Sequence, residues 1–186
     1  RGGIDSIEHG IFMDEECCAE MKARGVWLVP TLAAVKNILK GYDDGDRSIP
    51  DYVIDKARRV FDRHIEATQM YYKAGGRIAM GTDAGTPHNR HGENARELEY
   101  MCDIGISARD SLFFATASAA DLMRLEDQGR IREGNSADLV LCDGDAVADI
   151  KRAARKENHR LVVKRGQLAR DNRAAFVRQP ARVAAE

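Results

Sequence analysis

G-T-D-A-G-T-P-H-N-R-H-G, residues 81–92, is the stretch whose reading decides the fold. Directly before it, Arg77-Ile78-Ala79-Met80 is a short, largely apolar run that follows two glycines and reads as a buried strand. Asp83 then stands at the strand's C-terminal tip, followed by a loop carrying His88 and His91. Open and closed parallel α/β sheets keep their chemistry at that end. A second reading is open at this point, in which Asp83 caps the helix or turn that follows.

Working upstream, Gly75-Gly76 ends a long amphipathic helix expected over 51–74. Its apolar stripe is Val53, Ala57, Val60, Phe61 and Ile65, continued by Thr68 and Tyr72, at spacings of three and four. Residues 33–50 read as a short helical piece followed by a polar, turn-rich segment, 41–50, expected to be a mobile loop near the site. The run V-W-L-V-P-T-L at 26–32 has the pattern of a strand buried on both faces, with Pro30 near its end. A helix is predicted from Asp14, with Glu15 and Glu16 in its first turn and Lys22 and Arg24 in its last, before Gly25. Residues 4–8 form a short mixed run that places His9 at the tip of another strand.

Downstream, helices are expected over 93–102 and 107–122, the second opening S-A-R-D. The order strand, helix, three times over, means parallel strands joined by right-handed crossovers. Three such units do not close a barrel. After Leu125 the texture changes to short strands at 129–134 and 137–143 and a hairpin at 161–169, a small antiparallel unit. Residues 172–186 are mostly polar or small, and fraying is expected there.

Composition bounds the function. At 186 residues the chain can build an ordinary core without staples. Twenty-nine basic against 30 acidic residues leave a net charge of −1, which provides no field to recruit nucleic acid or an anionic membrane. No apolar run approaches the roughly 20 residues needed to span a bilayer. Cys17, Cys18, Cys102 and Cys142 include no C-x-x-C spacing and read as reduced thiols of a cytoplasmic protein. The chain opens on Arg1 and runs at once into a strand, as the middle of a longer protein would.

I-E-H-G at 7–10, V-P-T-L at 29–32, G-T-D-A-G-T-P at 81–87, H-G-E-N-A-R-E-L at 91–98 and E-G-N-S-A-D-L-V at 133–140 come in family-like order. Together they resemble the metal-dependent amidohydrolase superfamily, most closely its prolidase-like dipeptidases and zinc carboxypeptidases. The resemblance implies an α/β fold comprising strands six to eight of a (β/α)8 TIM barrel, residues 1–126. Residues 127–186 would be part of a small β-sandwich subdomain and a tail. It also implies that His9, ending strand six, is a metal ligand, and that Asp83, ending strand eight, binds metal and handles protons. The residue types suit those roles, because imidazole is a good ligand for zinc and a carboxylate beside an activated water can relay its proton. His91 and Asn94 would help to line the substrate pocket, although a loop or capping role for His91 is open. His64, on the long helix, His159, in the β tail, and Trp27 read as surface or packing residues, and the Cys17-Cys18 pair as small hydrophobes.

The implied reaction is hydrolysis of an amide bond in a dipeptide or N-acyl amino acid. Water would be activated on one or two zinc ions, with Asp83 as the proton shuttle. A cyclic amide, a lactone or an aryl-urea substrate is the alternative on the same fold, and a non-catalytic fragment with a structural or oligomerising role is the other. The family's remaining ligands, an H-x-H pair, a carbamylated lysine and a further histidine, have no counterpart here. The expected partners are therefore the N-terminal remainder of the barrel and, as a homo-oligomer, further copies of the chain.

Overall fold

The computed structural model describes residues 2–176. Its first sheet holds β1 (Ser6–Glu8), β2 (Trp27–Val29) and β3 (Arg77–Ile78), in that order and all parallel. Glu8 is in register with Val29 and Leu28 with Ile78, so all three C-terminal tips lie at one end. The connections are helical: α1 (Glu15–Arg24) joins β1 to β2, and α2 (Leu32–Asp43) with α3 (Asp51–Lys73) joins β2 to β3.

Local chemistry explains these boundaries. The Asp14 side chain caps α1 by accepting from Cys17 N at 2.8 Å. Gly25, at φ 66°, closes the helix in the left-handed conformation that a glycine adopts without strain. In α2 the helix is longer than expected and takes in Gly41, which leaves a shorter connection from Asp44 to Pro50. That connection is held by His88, whose Nε2 lies 3.0 Å from the Asp46 carboxylate. The buried stripe of α3 is Ile54, Ala57, His64, Ala67, Thr68 and Tyr71, rotated from the expected one. Val53, Val60, Phe61 and Tyr72 are only half-buried at its margin.

Alternation along β2 divides the core. Leu28, with Ile78 of β3, packs among Cys18 and Met21 of α1, Leu32 and Ala33 of α2, and Ala67 and Tyr71 of α3. Tyr71 also donates its buried hydroxyl to Val26 O at 2.7 Å. Tyr71→Phe is expected to lower stability by about 1 kcal/mol, the usual net worth of one buried hydrogen bond, as measured by chemical denaturation. On the opposite face Trp27, Val29 and Ala79 meet Ala119 and Leu122.

The helix predicted over 107–122 breaks at Thr116. After a 3-10 turn at Asn94–Arg96 come α4 (Glu97–Asp103), α5 (Ala108–Ala115) and α6 (Ala117–Leu122). The break turns α6 across the face, and its Ser118 hydroxyl donates to Ile78 O. Phe114 O at the end of α5 accepts from Met80 N at 2.9 Å. The outer edge of β3 is thereby partly satisfied by the helices that follow it.

The second sheet is antiparallel, in the order β4 (Leu139–Cys142), β5 (His159–Lys164), β6 (Gln167–Asp171). Arg165 and Gly166, both at positive φ, make the two-residue turn between β5 and β6, as expected for a hairpin. The strand expected over 129–134 is absent, and turns occupy the segment, with Asn135 N bonded to Arg132 O. A short helix, α7 (Lys151–Ala154), precedes β5, and Arg155 after it makes a two-pronged ion pair with Glu99 of α4 at 2.9 and 2.8 Å. His159 packs by placing Nε2 2.8 Å from Ala153 O. Leu139, Val140, Leu141 and Leu168 leave an exposed apolar surface on this sheet. Asn172, expected to fray, is bonded to Arg160 O and His159 O, and Arg173–Phe176 form a helical turn; residues 177–186 lie outside the described residues. Among the described residues no helix is long and apolar enough to cross a membrane.

Candidate metal site

His9 follows β1, Thr31 follows β2 by two residues, and Asp83 lies in the loop after β3. All three adopt the left-handed region, with φ of 62°, 52° and 52°. Such conformations cost about 1–3 kcal/mol each outside glycine, and Thr31 is β-branched as well. Three such residues therefore gather at one end of the first sheet. The tips of β1 and β3 stand on either side of β2, about 10 Å apart at the usual strand spacing.

His9 is half-buried, and its Nδ1 lies 2.5 Å from Thr31 Oγ1. The Thr31 hydroxyl proton is directed to Pro30 O at 2.6 Å. A hydroxyl has one proton, so its oxygen accepts from His9 Nδ1–H. This assigns the neutral ring the Nδ1–H tautomer and leaves Nε2 with its lone pair and no partner among the described residues. The same Pro30 carbonyl accepts from His64 Nε2 at 2.8 Å. His64 is fully buried, burial holds its pKa below the ordinary value, and its Nδ1 has no hydrogen-bond partner. It is a neutral brace beneath the strand tips.

Asp83 is exposed, and its carboxylate bonds to no described residue, so it caps neither helix nor turn. Its carbonyl is what the loop uses. Thr86 Oγ1 donates to Asp83 O at 3.0 Å, and the buried Asn89 donates through Nδ2 to both Thr82 O and Asp83 O, at 2.5 and 3.1 Å. Asn89 is in turn reached by Asn37 Nδ2 of α2, whose Oδ1 accepts from the Tyr100 hydroxyl of α4 at 2.6 Å.

His91 is exposed beside Gly85, where a Cβ would stand 3.5 Å from its Nε2. Asn94 is turned to the loop itself, donating to Thr82 Oγ1 at 2.9 Å and accepting from Gly92 N at 3.0 Å. His88 is paired with Asp46 as described. His9 and Asp83 thus share one end of the sheet, while His88 and His159 are engaged elsewhere.

Sequence reasoning passed over Glu97. This residue is wholly buried, and its two oxygens accept from Leu32 N and Ala33 N, each at 2.7 Å. Burial pushes its carboxyl up to about 8, opposed by those two N–H donors and by Lys36. A folded-state pKa above the ordinary 4.5 means that protonation favours the fold. Its contribution is therefore complete below about pH 4.5 and is lost as the pH rises to about 8. The unfolding temperature of the wild type is expected to fall across that window more steeply than that of Glu97→Gln, whose side chain does not titrate. Parallel slopes in a pH series of melting curves would contradict this assignment.

The donors present suit a metal ion: an imidazole with Nε2 held ready and a free carboxylate. Among the described residues no three histidine, cysteine or carboxylate side chains stand close enough together to hold one. His9 and Asp83 could supply two donors of a larger set.

The model of the amidohydrolase family matches residues 1–169, nearly the whole described chain. The chain belongs to the amidohydrolase family. Ochratoxinase of Aspergillus niger is 29% identical over 154 residues, which are 81% of this amidohydrolase chain and 31% of that protein. Among solved structures, a Xaa-Pro dipeptidase with methionine bound in its active site is 37% identical, with a TM-score of 0.78. The match covers 89% of this chain and 40% of that one. A prolidase complexed with N-methylphosphonate-L-proline is 27% identical, with a TM-score of 0.81, over 91% of this chain and 41% of that one. The amidohydrolase chain therefore spans between about a third and two fifths of the length of these relatives. Its mixed α/β architecture fits part of their barrel.

Proposed function

We infer that the complete protein is a metal-dependent hydrolase that cleaves the amide bond of a small substrate, a dipeptide or an N-acyl amino acid. The observation that carries this reading is the pairing of His9, its tautomer set by Thr31, with the unpartnered Asp83 carboxylate at one end of three parallel strands. The likeness to a Xaa-Pro dipeptidase and a prolidase supports the substrate class.

His9 Nε2 and an Asp83 oxygen would hold the metal, which we take to be zinc, one or two ions. Held by these two side chains, a metal ion would supply Lewis-acid polarisation of the scissile carbonyl and a lowered pKa for the attacking water. Asp83 accepts a proton from the attacking water at a carboxylate oxygen and returns it to the leaving nitrogen. His91 lines the approach to the site, and Asn94 does so through the loop that it braces. Residues 1–126 would be the barrel part, and 127–186 the β-sandwich part and a tail. The open edge of β1 and the exposed apolar surface of the second sheet are where the remainder of the barrel and subdomain would pack.

The test uses the full-length protein, with metal content and turnover measured together on Xaa-Pro dipeptides and N-acyl amino acids. Turnover that is lost on chelation and restored by zinc is the expected result. Hydrolysis unaffected by chelation, or none on any amide with metal bound, would overturn the reading.

A further inference from the structure

We propose that Glu97 is a positioning residue for His9, acting through Thr31. The inference rests on the reading of His9 as a metal ligand. Its starting point is a competition for one hydroxyl group.

The first N–H groups of α2 have no partner within the helix and need acceptors. Thr31 immediately precedes the helix and is of a type that usually caps it, from extended backbone and through its own hydroxyl. Here it does neither: its φ is 52°, and its side chain makes no capping bond. The hydroxyl is instead placed between Pro30 O and His9 Nδ1. Glu97, 64 and 65 residues away in sequence, takes over the cap with both oxygens. It is fully buried, so water cannot substitute for it.

Glu97 thereby releases Thr31 to hold the His9 ring. Without the second oxygen, one of the two N–H groups loses its acceptor. Thr31 can satisfy it by relaxing to extended backbone and turning its hydroxyl back toward α2, which relieves the left-handed strain at the same time. His9 Nδ1–H then loses the acceptor that fixed its tautomer. Groups behind a ligating histidine commonly change metal affinity by about 10–100-fold when removed.

The decisive readout is the ring tautomer of His9 in the metal-free full-length protein, by 15N NMR at a pH where the ring is neutral. The wild type is expected to show the Nδ1–H form alone. Thr31→Val, which removes the acceptor directly, should give a mixture, Glu97→Gln should give the same mixture, and the double variant should shift no further. Zinc affinity should fall by about 10–100-fold in each, and Thr31→Ser should retain the wild-type tautomer.

A lower melting temperature for Glu97→Gln with a wild-type His9 tautomer would reduce Glu97 to a structural residue and overturn the proposal. Effects on the tautomer that add in the double variant would do the same. If Glu97→Gln does not fold, Glu97→Asp carries the test, because the shortened carboxylate should shift the tautomer in the same direction. Absence of amide hydrolysis by the wild type would remove the functional reading while leaving the tautomer result standing, so the two failures are distinguishable.

Discussion

Asp83→Asn in the full-length protein is expected to lower kcat by about 10²–10⁴-fold, the range a positioned proton-transfer group contributes. Asparagine keeps the size of the side chain but cannot accept the proton of the attacking water. The carboxylate has no hydrogen-bond partner among the described residues and is exposed, so its replacement removes no packing and no cap. The loop is held through the Asp83 carbonyl, which the substitution retains, by Thr86 and Asn89. The unfolding temperature should therefore stay within about 1 °C of the wild type, since surface changes away from such features are nearly neutral. Loss of turnover with unchanged stability separates a chemical role from a structural one. A variant that folds, binds metal and turns over at the wild-type rate would remove Asp83 from the mechanism.

Leu28→Ala acts on stability, and the expected loss is about 2–5 kcal/mol by denaturant unfolding. Leu28 is fully buried at the centre of β2, level with Ile7 on one side and Ile78 on the other. Its side chain also supports the site from below: a Cβ on Gly10 would stand 2.6 Å from Leu28 Cδ1. The turn that carries His9 therefore rests directly on this leucine. Stabilities of ordinary domains are about 5–15 kcal/mol, so the loss is a large part of the whole. Because the cavity opens under His9, the metal affinity of the folded fraction should fall as well. A cost below about 1 kcal/mol would mean that the core is not centred on β2.

The framework of the fold was legible because it rests on local signals. Asp14, the acids after it and Gly25 mark both ends of α1, and the apolar run at 26–32 marks β2. The break at Thr116 was not legible: the apolar pattern runs on past it, and what turns α6 aside is the face of Trp27, Val29 and Ala79 that it covers. The α3 stripe was displaced for a related reason. Ile54, His64 and Tyr71 are chosen by the shape of the sheet beneath them, while the spacing alone admits the neighbouring stripe equally well.

In the site, His9 and Asp83 stood out because each follows a readable strand. Thr31 looked like an ordinary residue before a helix, and its bonds to Pro30 and His9 arise only once the strand tips come together in the fold. Glu97 lies in the stretch H-G-E-N-A-R-E-L, among Glu93 and Glu99, with nothing local to single it out. Its contact with α2 spans 64 and 65 residues. Asn89 was hidden in the same way, as a polar loop residue whose burial arises from the fold of the loop.

The most direct measurement of the central claim is anomalous diffraction at the metal edge from crystals of the full-length protein. The expected peak lies between the tips of β1 and β3, with His9 Nε2 and an Asp83 carboxylate oxygen at about 2.0–2.2 Å and Thr31 Oγ1 still on His9 Nδ1. A metal bound elsewhere, or ligated without His9 and Asp83, would contradict the account.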